Sequence, residues 1–161
     1  MNEQGEKREM KIIIGADPLG YALKNAVGKY LLSAGYEVVD ITEAEPAPYY
    51  QVGDEVGRRI SDGEFERGII FCGTGMGVNI TANKHRGVYC GLCESVMSAR
   101  LCRIINNCNV LALGGLFNGE YKAIEMVKVF LETGFAEGFS EASPEFLKDS
   151  FMKVSQLDRN T

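Results

Sequence analysis

The sequence predicts a doubly wound α/β domain on a parallel five-stranded sheet. Three observations lead there. Short apolar runs alternate with segments whose apolar residues recur at helical spacing. The runs are continuous rather than alternating, as expected of strands covered on both faces. The third run passes without a break into a glycine-rich turn and then a helix, the construction found at the carboxyl edge of such sheets.

The elements follow in chain order. KIIIGA, residues 11–16, is the first strand, and Asp17-Pro18-Leu19-Gly20 turns the chain. Ala22, Leu23, Ala26, Val27, Tyr30 and Leu31 then mark one face of a helix that Gly35 terminates. YEVVDI, residues 36–41, is the second strand. A loop with Pro46 and Pro48 leads to a helix over about 50–61, with Val52, Val56 and Ile60 on one face. The central stretch, GIIFCGTGMGVNITAN over 68–83, supplies the third strand, ending on Cys72, and a helix with Val78, Ile80 and Ala82 as its apolar positions. Residues 88–92 form strand four, and Ser95 caps a helix reaching about Asn106. NVLAL, residues 109–113, is strand five; Gly114-Gly115 turns the chain, and Asn118 is placed to cap a long helix packed through Ala123, Val127, Phe130 and Leu131. Five strands alternating with helices make one domain over 11–133. Residues 1–10 read as a disordered leader. Residues 134–161, broken by Gly134, Gly138 and Pro144, read as a tail with one amphipathic helix over 145–157, expected to pack on a neighbouring subunit.

A net charge of −5 and a pI near 5.0 argue against nucleic acid as a partner. No apolar run approaches the roughly 18–20 residues of a membrane-spanning helix, and the polar N-terminus lacks a secretory apolar region, so a cytoplasmic protein is expected. Five cysteines without an export signal read as reduced thiols. Cys90 and Cys93 match C-x-x-C, but no second ligand pair has zinc spacing, so they read as small buried hydrophobes.

The chemistry concentrates at the glycine-rich turn. The first N–H groups of a helix lack intrahelical partners and carry the positive end of its dipole, so Gly73, Gly75, Met76 and Gly77 offer a cradle for an anion. Glycine would be required there to leave the amides open to a ligand. Cys72 lies beside the cradle, where amides favour thiolate over thiol and equip it to abstract a proton next to a carbonyl. The amides and Thr74 would hold the oxyanion that develops. Asp17, ending strand one, would hold or exchange protons with substrate hydroxyls. The dinucleotide pattern GxGxxG is not met, since Gly73, Gly75 and Gly77 are two residues apart, and GxxxxGK[ST] is absent.

Taken together, IIIGAD near the start, FCGTGMGVNITANK in the middle and NNCNVLALGG later resemble the ribose-5-phosphate isomerase B and galactose-6-phosphate isomerase family, over about residues 11–137. The resemblance implies a three-layer α/β/α Rossmann-like subunit, a homodimer or tetramer with shared active sites, and interconversion of aldose and ketose sugar phosphates through a cis-enediol without metal or cofactor. It implies Cys72 as catalytic base, Thr74 and the amides of Gly73, Gly75, Met76 and Gly77 at the enediolate, and Asp17 with a partner subunit's Asn106 on sugar hydroxyls. The departures concern ring opening and phosphate. Histidines of ribose-type members are replaced by Pro18 and Ile105, and phosphate-binding arginines by Leu116 and, in the tail, Ser140 and Pro144; the one histidine is His85. Keeping the enolising groups while losing those for ring opening fits an already open-chain substrate, such as a tetrulose 4-phosphate, or one without phosphate. Arg103, Lys84 or Arg86 would be the remaining basic groups for a phosphate. The alternatives are a hetero-oligomer and a non-catalytic sugar-phosphate-binding or regulatory subunit.

Overall fold

The computed structural model describes residues 10–158, so the leader expected over 1–10 falls, apart from Met10, outside the described residues. The strands are β1 (Lys11–Ala16), β2 (Glu37–Asp40), β3 (Arg67–Cys72), β4 (Cys90–Leu92) and β5 (Val110–Gly114). They form one sheet in the order β2-β1-β3-β5-β4, every pair parallel. Strand order reverses between β1 and β3. A crevice therefore opens at their carboxyl ends, where Asp17 and Cys72 sit.

Six helices cover the sheet: α1 (Tyr21–Ser33), α2 (Tyr49–Ser61), α3 (Met76–Ala82), α4 (Val96–Asn106), α5 (Glu120–Glu132) and α6 (Pro144–Leu157). Strand alternation divides the core in two. Ile12, Ile14, Ile69, Phe71, Leu111 and Leu113 face α1, α4 and α5. Ile13, Ile70, Cys72, Val110 and Ala112 face α2 and α3 through Val52, Val56, Val78 and Ala82. Cys72 is thus the last inward residue on the α2/α3 side.

Local chemistry accounts for most boundaries, and the differences from the sequence reading have physical causes. Ser95 caps α4 as expected, its Oγ accepting the Ser98 N–H at 3.0 Å. Ile80 is exposed although Val78 and Ala82 are buried, because helical neighbours on one face are four residues apart, not two. Asn118 does not cap α5: Gly119 takes that place. The Asn118 side chain is instead buried and donates to the Gly114 carbonyl at 2.9 Å, bracing the turn after β5. In the tail, α6 is capped by Ser143 and rests on α4 of its own chain through a small cluster of Ile104, Ala136 and Leu147. Its other side leaves Phe146, Met152, Val154 and Leu157 exposed. No helix among the described residues is long and apolar enough to cross a membrane.

The tightest interhelical contact joins α2 to α3. A β-carbon on Gly53 would stand 2.8 Å from the Val78 carbonyl oxygen and inside the Thr81 hydroxyl, so no side chain fits. His85, just after α3, donates from Nε2 to Asp54 of α2 at 2.9 Å and reinforces the contact. Because α3 carries the glycine turn, this contact fixes the site from behind. Gly53→Ala is expected to lower stability by about 2–3 kcal/mol, as overpacking against backbone does; the midpoint of urea unfolding measures it, and an unchanged midpoint would show that α2 and α3 can separate freely.

Candidate active site

Three turns at the carboxyl edge are joined by backbone. After β1, the Asp17 N–H donates to the Phe71 carbonyl at 3.0 Å. After β5, the Gly115 N–H reaches the Cys72 carbonyl at 2.8 Å and the Leu116 N–H reaches the Gly73 carbonyl at 2.9 Å. The approach is closer than side chains allow. A β-carbon on Gly20 would lie 2.6 Å from the Phe71 carbonyl carbon, and one on Gly114 would lie 2.7 Å from the Thr74 carbonyl carbon.

Cys72 occupies the centre of this junction. Its Sγ accepts the Gly75 N–H at 3.1 Å. Because α3 has only seven residues, the polar group directed at the sulfur is this single N–H rather than the end of a long helix. Gly75 takes φ 78°, a left-handed conformation that turns its N–H back on the sulfur and favours glycine. Thr74 Oγ1 accepts the Met76 N–H at 3.2 Å, so the hydroxyl hydrogen remains available to a ligand. Gly77 belongs to the first turn of α3, whose amides lie ahead of the first helical acceptors.

A physical reason for the glycines lies in the protein itself, whose atoms crowd the places their side chains would take. A β-carbon on Gly75 would meet Leu92 Cδ1 at 2.6 Å, and one on Gly77 would meet the Tyr49 ring at 2.6 Å. At Gly73 it would meet Leu19 Cδ1 at 2.9 Å and Leu116 Cδ1 at 3.4 Å. These two leucines are 61% and 63% exposed and stand over the turn, while Cys72 keeps only 4% of its surface exposed.

Asp17 is engaged locally. Its Oδ1 accepts the N–H groups of Leu19 and Gly20, both at 2.9 Å, fixing the turn between Gly20 and Cys72. One carboxylate oxygen therefore shapes backbone. Asn106 is not brought to Cys72 within the chain. It ends α4, which runs back toward the start of β5 at Val110, whereas Cys72 pairs with Gly114 at the other end. Four strand residues separate those levels by about 13 Å. Asn106 borders a different cavity of about 640 Å³, beside β4 and between α4 and α6, and a second of about 360 Å³ lies against α1 and β2; neither touches Cys72.

The other basic candidates lie elsewhere. Arg103 is buried and donates to Asn107 Oδ1 at 3.0 Å and to the Cys108 carbonyl at 2.6 Å, away from Cys72. Lys84 and Arg86 follow the far end of α3. One residue of the central stretch was not singled out by sequence reasoning. Asn83 accepts the Cys90 N–H at 2.8 Å and donates to the Cys90 carbonyl at 3.0 Å, closing the edge strand β4 as a neighbouring strand would. Only its place in the quoted motif hinted at it. All five cysteines are free, and no group among the described residues is arranged to hold a metal.

A family model described as Ribose/Galactose Isomerase matches residues 12–144. The chain is 42% identical to the 4-deoxy-4-sulfo-D-erythrose isomerase of Clostridium sp. strain MSTE9, over 94% of this chain and 97% of that one. It is 36% identical to the D-erythrulose-4-phosphate isomerase of Pectobacterium atrosepticum, over 84% and 91%. Among solved structures, ribose-5-phosphate isomerase B of Clostridium thermocellum superposes with a TM-score of 0.85 at 33% identity, covering 94% of this chain and 99% of that one.

Two substitutions separate the structural role of Asp17 from any role of its charge. Asp17→Asn keeps an oxygen for the two turn amides and is expected to leave the unfolding midpoint nearly unchanged. Asp17→Ala is expected to cost about 1–2 kcal/mol, as loss of such a cap does; equal midpoints for the two variants would refute the bracing role.

Proposed function

This chain belongs to the ribose/galactose isomerase family, and from that premise we propose that it is an aldose–ketose isomerase for an open-chain, four-carbon sugar bearing an anionic group at C4. The observation that carries the reading is the Gly75 N–H held 3.1 Å from the Cys72 sulfur at the switch point of the sheet.

In the proposed reaction the Cys72 thiolate takes the proton from C2 of the aldose, next to the aldehyde. The electron pair moves into a cis-enediolate, whose oxygen is held by the turn amides and the Thr74 hydroxyl. The same thiol returns the proton to C1, and a proton passes from O2 to O1. One hydrogen has then moved between carbons, one between oxygens, and a ketose results. Asp17, through its other carboxylate oxygen, orients substrate hydroxyls.

The substrate class rests on ring chemistry. A furanose needs a free hydroxyl at C4. A C4 sulfonate removes that oxygen and a C4 phosphate occupies it, so the carbonyl stays open and no imidazole is required. Pro18 and Ile105, where ribose-type members carry histidines, suit such a substrate. Leu116 in place of an arginine favours the singly charged sulfonate over a phosphate ester of about −1.5 to −2 charge. The names of the relatives from Clostridium and Pectobacterium support the same class.

The near-burial of Cys72 and the exposed Leu19, Met76, Ile80, Leu116 and Phe117 around it support a site completed by a second subunit of the same chain. The Asn106 of such a subunit supplies the missing hydroxyl contact, and the exposed side of α6 packs against it. The same burial favours, as a second reading, a non-catalytic binder.

Turnover of 4-deoxy-4-sulfoerythrose, erythrose 4-phosphate and ribose 5-phosphate decides between them. We expect kcat/KM to fall in that order. A preference for ribose 5-phosphate would overturn the substrate class, and binding without turnover of all three would favour the binder. Exchange of the C2 hydrogen in deuterated water should fall by about 10²–10⁴-fold in Cys72→Ala; unreduced exchange would remove Cys72 as base.

A further inference from the structure

The other four cysteines gather away from Cys72, around the edge strand β4 and the carboxyl end of α4. Their closeness has a backbone cause. Asn107 ends α4 in a left-handed conformation, φ 49°, and the Cys108 N–H then returns to the Cys102 carbonyl at 3.1 Å. Residue 108 is thereby laid against residue 102. Gly91, the first residue between Cys90 and Cys93, completes the cluster by having no side chain. The point its β-carbon would occupy is 3.3 Å from the Sγ of both Cys102 and Cys108. Cys102 and Cys108 thus converge on one point, and Cys93 borders the same cavity as both.

Access and polarity are also in place. Cys93, Cys102 and Cys108 all border the cavity of about 640 Å³, and Cys102 is partly exposed. The Cys102 S–H donates to the Ala99 carbonyl at 3.2 Å, and the neighbouring Cys108 and Cys93 thiols, with burial, push its pKa up. The Cys108 thiol is pushed down, first by the neighbouring Cys102 and further by the nearby Arg103 guanidinium, against the effect of burial. Within the pair, Cys108 is the more acidic sulfur.

We propose that Cys102 and Cys108 are a dithiol oxidised by hydroperoxides to an intramolecular disulfide. The Cys108 thiolate attacks the peroxide, the O–O bond breaks, and Cys108 becomes a sulfenic acid as hydroxide leaves. The Cys102 sulfur then attacks the sulfenic sulfur, an S–S bond forms and water departs. Two thiols lose two protons and two electrons, and hydrogen peroxide takes both to become two waters. The bridge closes the stretch that contains Ile105 and Asn106, so oxidation acts on the wall of the cavity and not on Cys72. A thiol beside a guanidinium and bordering a cavity is in surroundings that favour thiolate and its reaction with peroxide.

The test uses the full chain and hydrogen peroxide. Trypsin cuts after Arg103, between the two cysteines, so a bridge holds together two peptides that otherwise separate. We expect an intact-mass loss of about 2 Da, for two hydrogens, reversed by dithiothreitol, and a linked peptide pair joining Cys102 to Cys108. In Cys102→Ser the sulfenic acid on Cys108 should persist and be trapped by dimedone. Oxidation confined to Cys72, a bridge from Cys102 to Cys93, or four unmodified thiols in this cluster would each overturn the proposal.

Discussion

Backbone approach closer than a β-carbon permits is the constraint on which this molecule depends. The turns after β1, β3 and β5 meet at one edge of the sheet, with Gly20 against Phe71 and Cys72 and Gly114 against Thr74. Hydrogen bonds from Asp17, Gly115 and Leu116 cross between the turns and satisfy backbone groups that would otherwise be buried unpaired. A glycine-rich turn in isolation is flexible. Wedged between two others, it holds one conformation, and the Gly75 N–H stays on the Cys72 sulfur. Preorganisation of this kind is what an anion forming at that edge requires, because no backbone has to move to meet it.

The same packing limits what the edge accepts. Leu19 and Leu116 stand over Gly73, and both belong to turns fixed by the crossing hydrogen bonds. The described chain places its buried cations elsewhere: Lys24 pairs with Asp40 at 2.6 Å and Arg103 serves the end of α4. An apolar rim around a polar floor suits a short substrate whose reacting end reaches the thiol while its anionic end lies further out. It also suits coverage by another protein surface, since apolar side chains gathered at one rim are stabilised by contact with a partner.

Cys72 lies on one face of the sheet and Cys102 with Cys108 on the other, in different surroundings. Cys72 meets a backbone N–H and no second thiol is described at its side. Cys102 and Cys108 converge under Gly91. The first arrangement favours repeated proton transfer by one group; the second favours a change of covalent state between two. Both follow from how a helix or strand ends. The carboxyl end of β3 continues into Gly73-Thr74-Gly75, and the carboxyl end of α4 folds back through Asn107.

The sequence by itself determined the strands, the number of helices flanking them and the position of Cys72 at a strand end before a glycine-rich turn. Those features are written in local patterns: apolar runs, helical spacing, a cap at Ser95. Shorter-range details were partly legible. Ile80 and Asn118 were misread because a single apolar or polar residue can face either way until its helix is packed. Tertiary structure alone decided why Gly75 and Gly77 lack side chains, since Leu92 and Tyr49 come from distant segments. It alone set Asn106 at the other edge from Cys72, closed β4 with Asn83, and brought Cys102 beside Cys108 under Gly91. Each of these is a contact between residues whose separation in space is fixed by the fold, and no spacing along the chain encodes it.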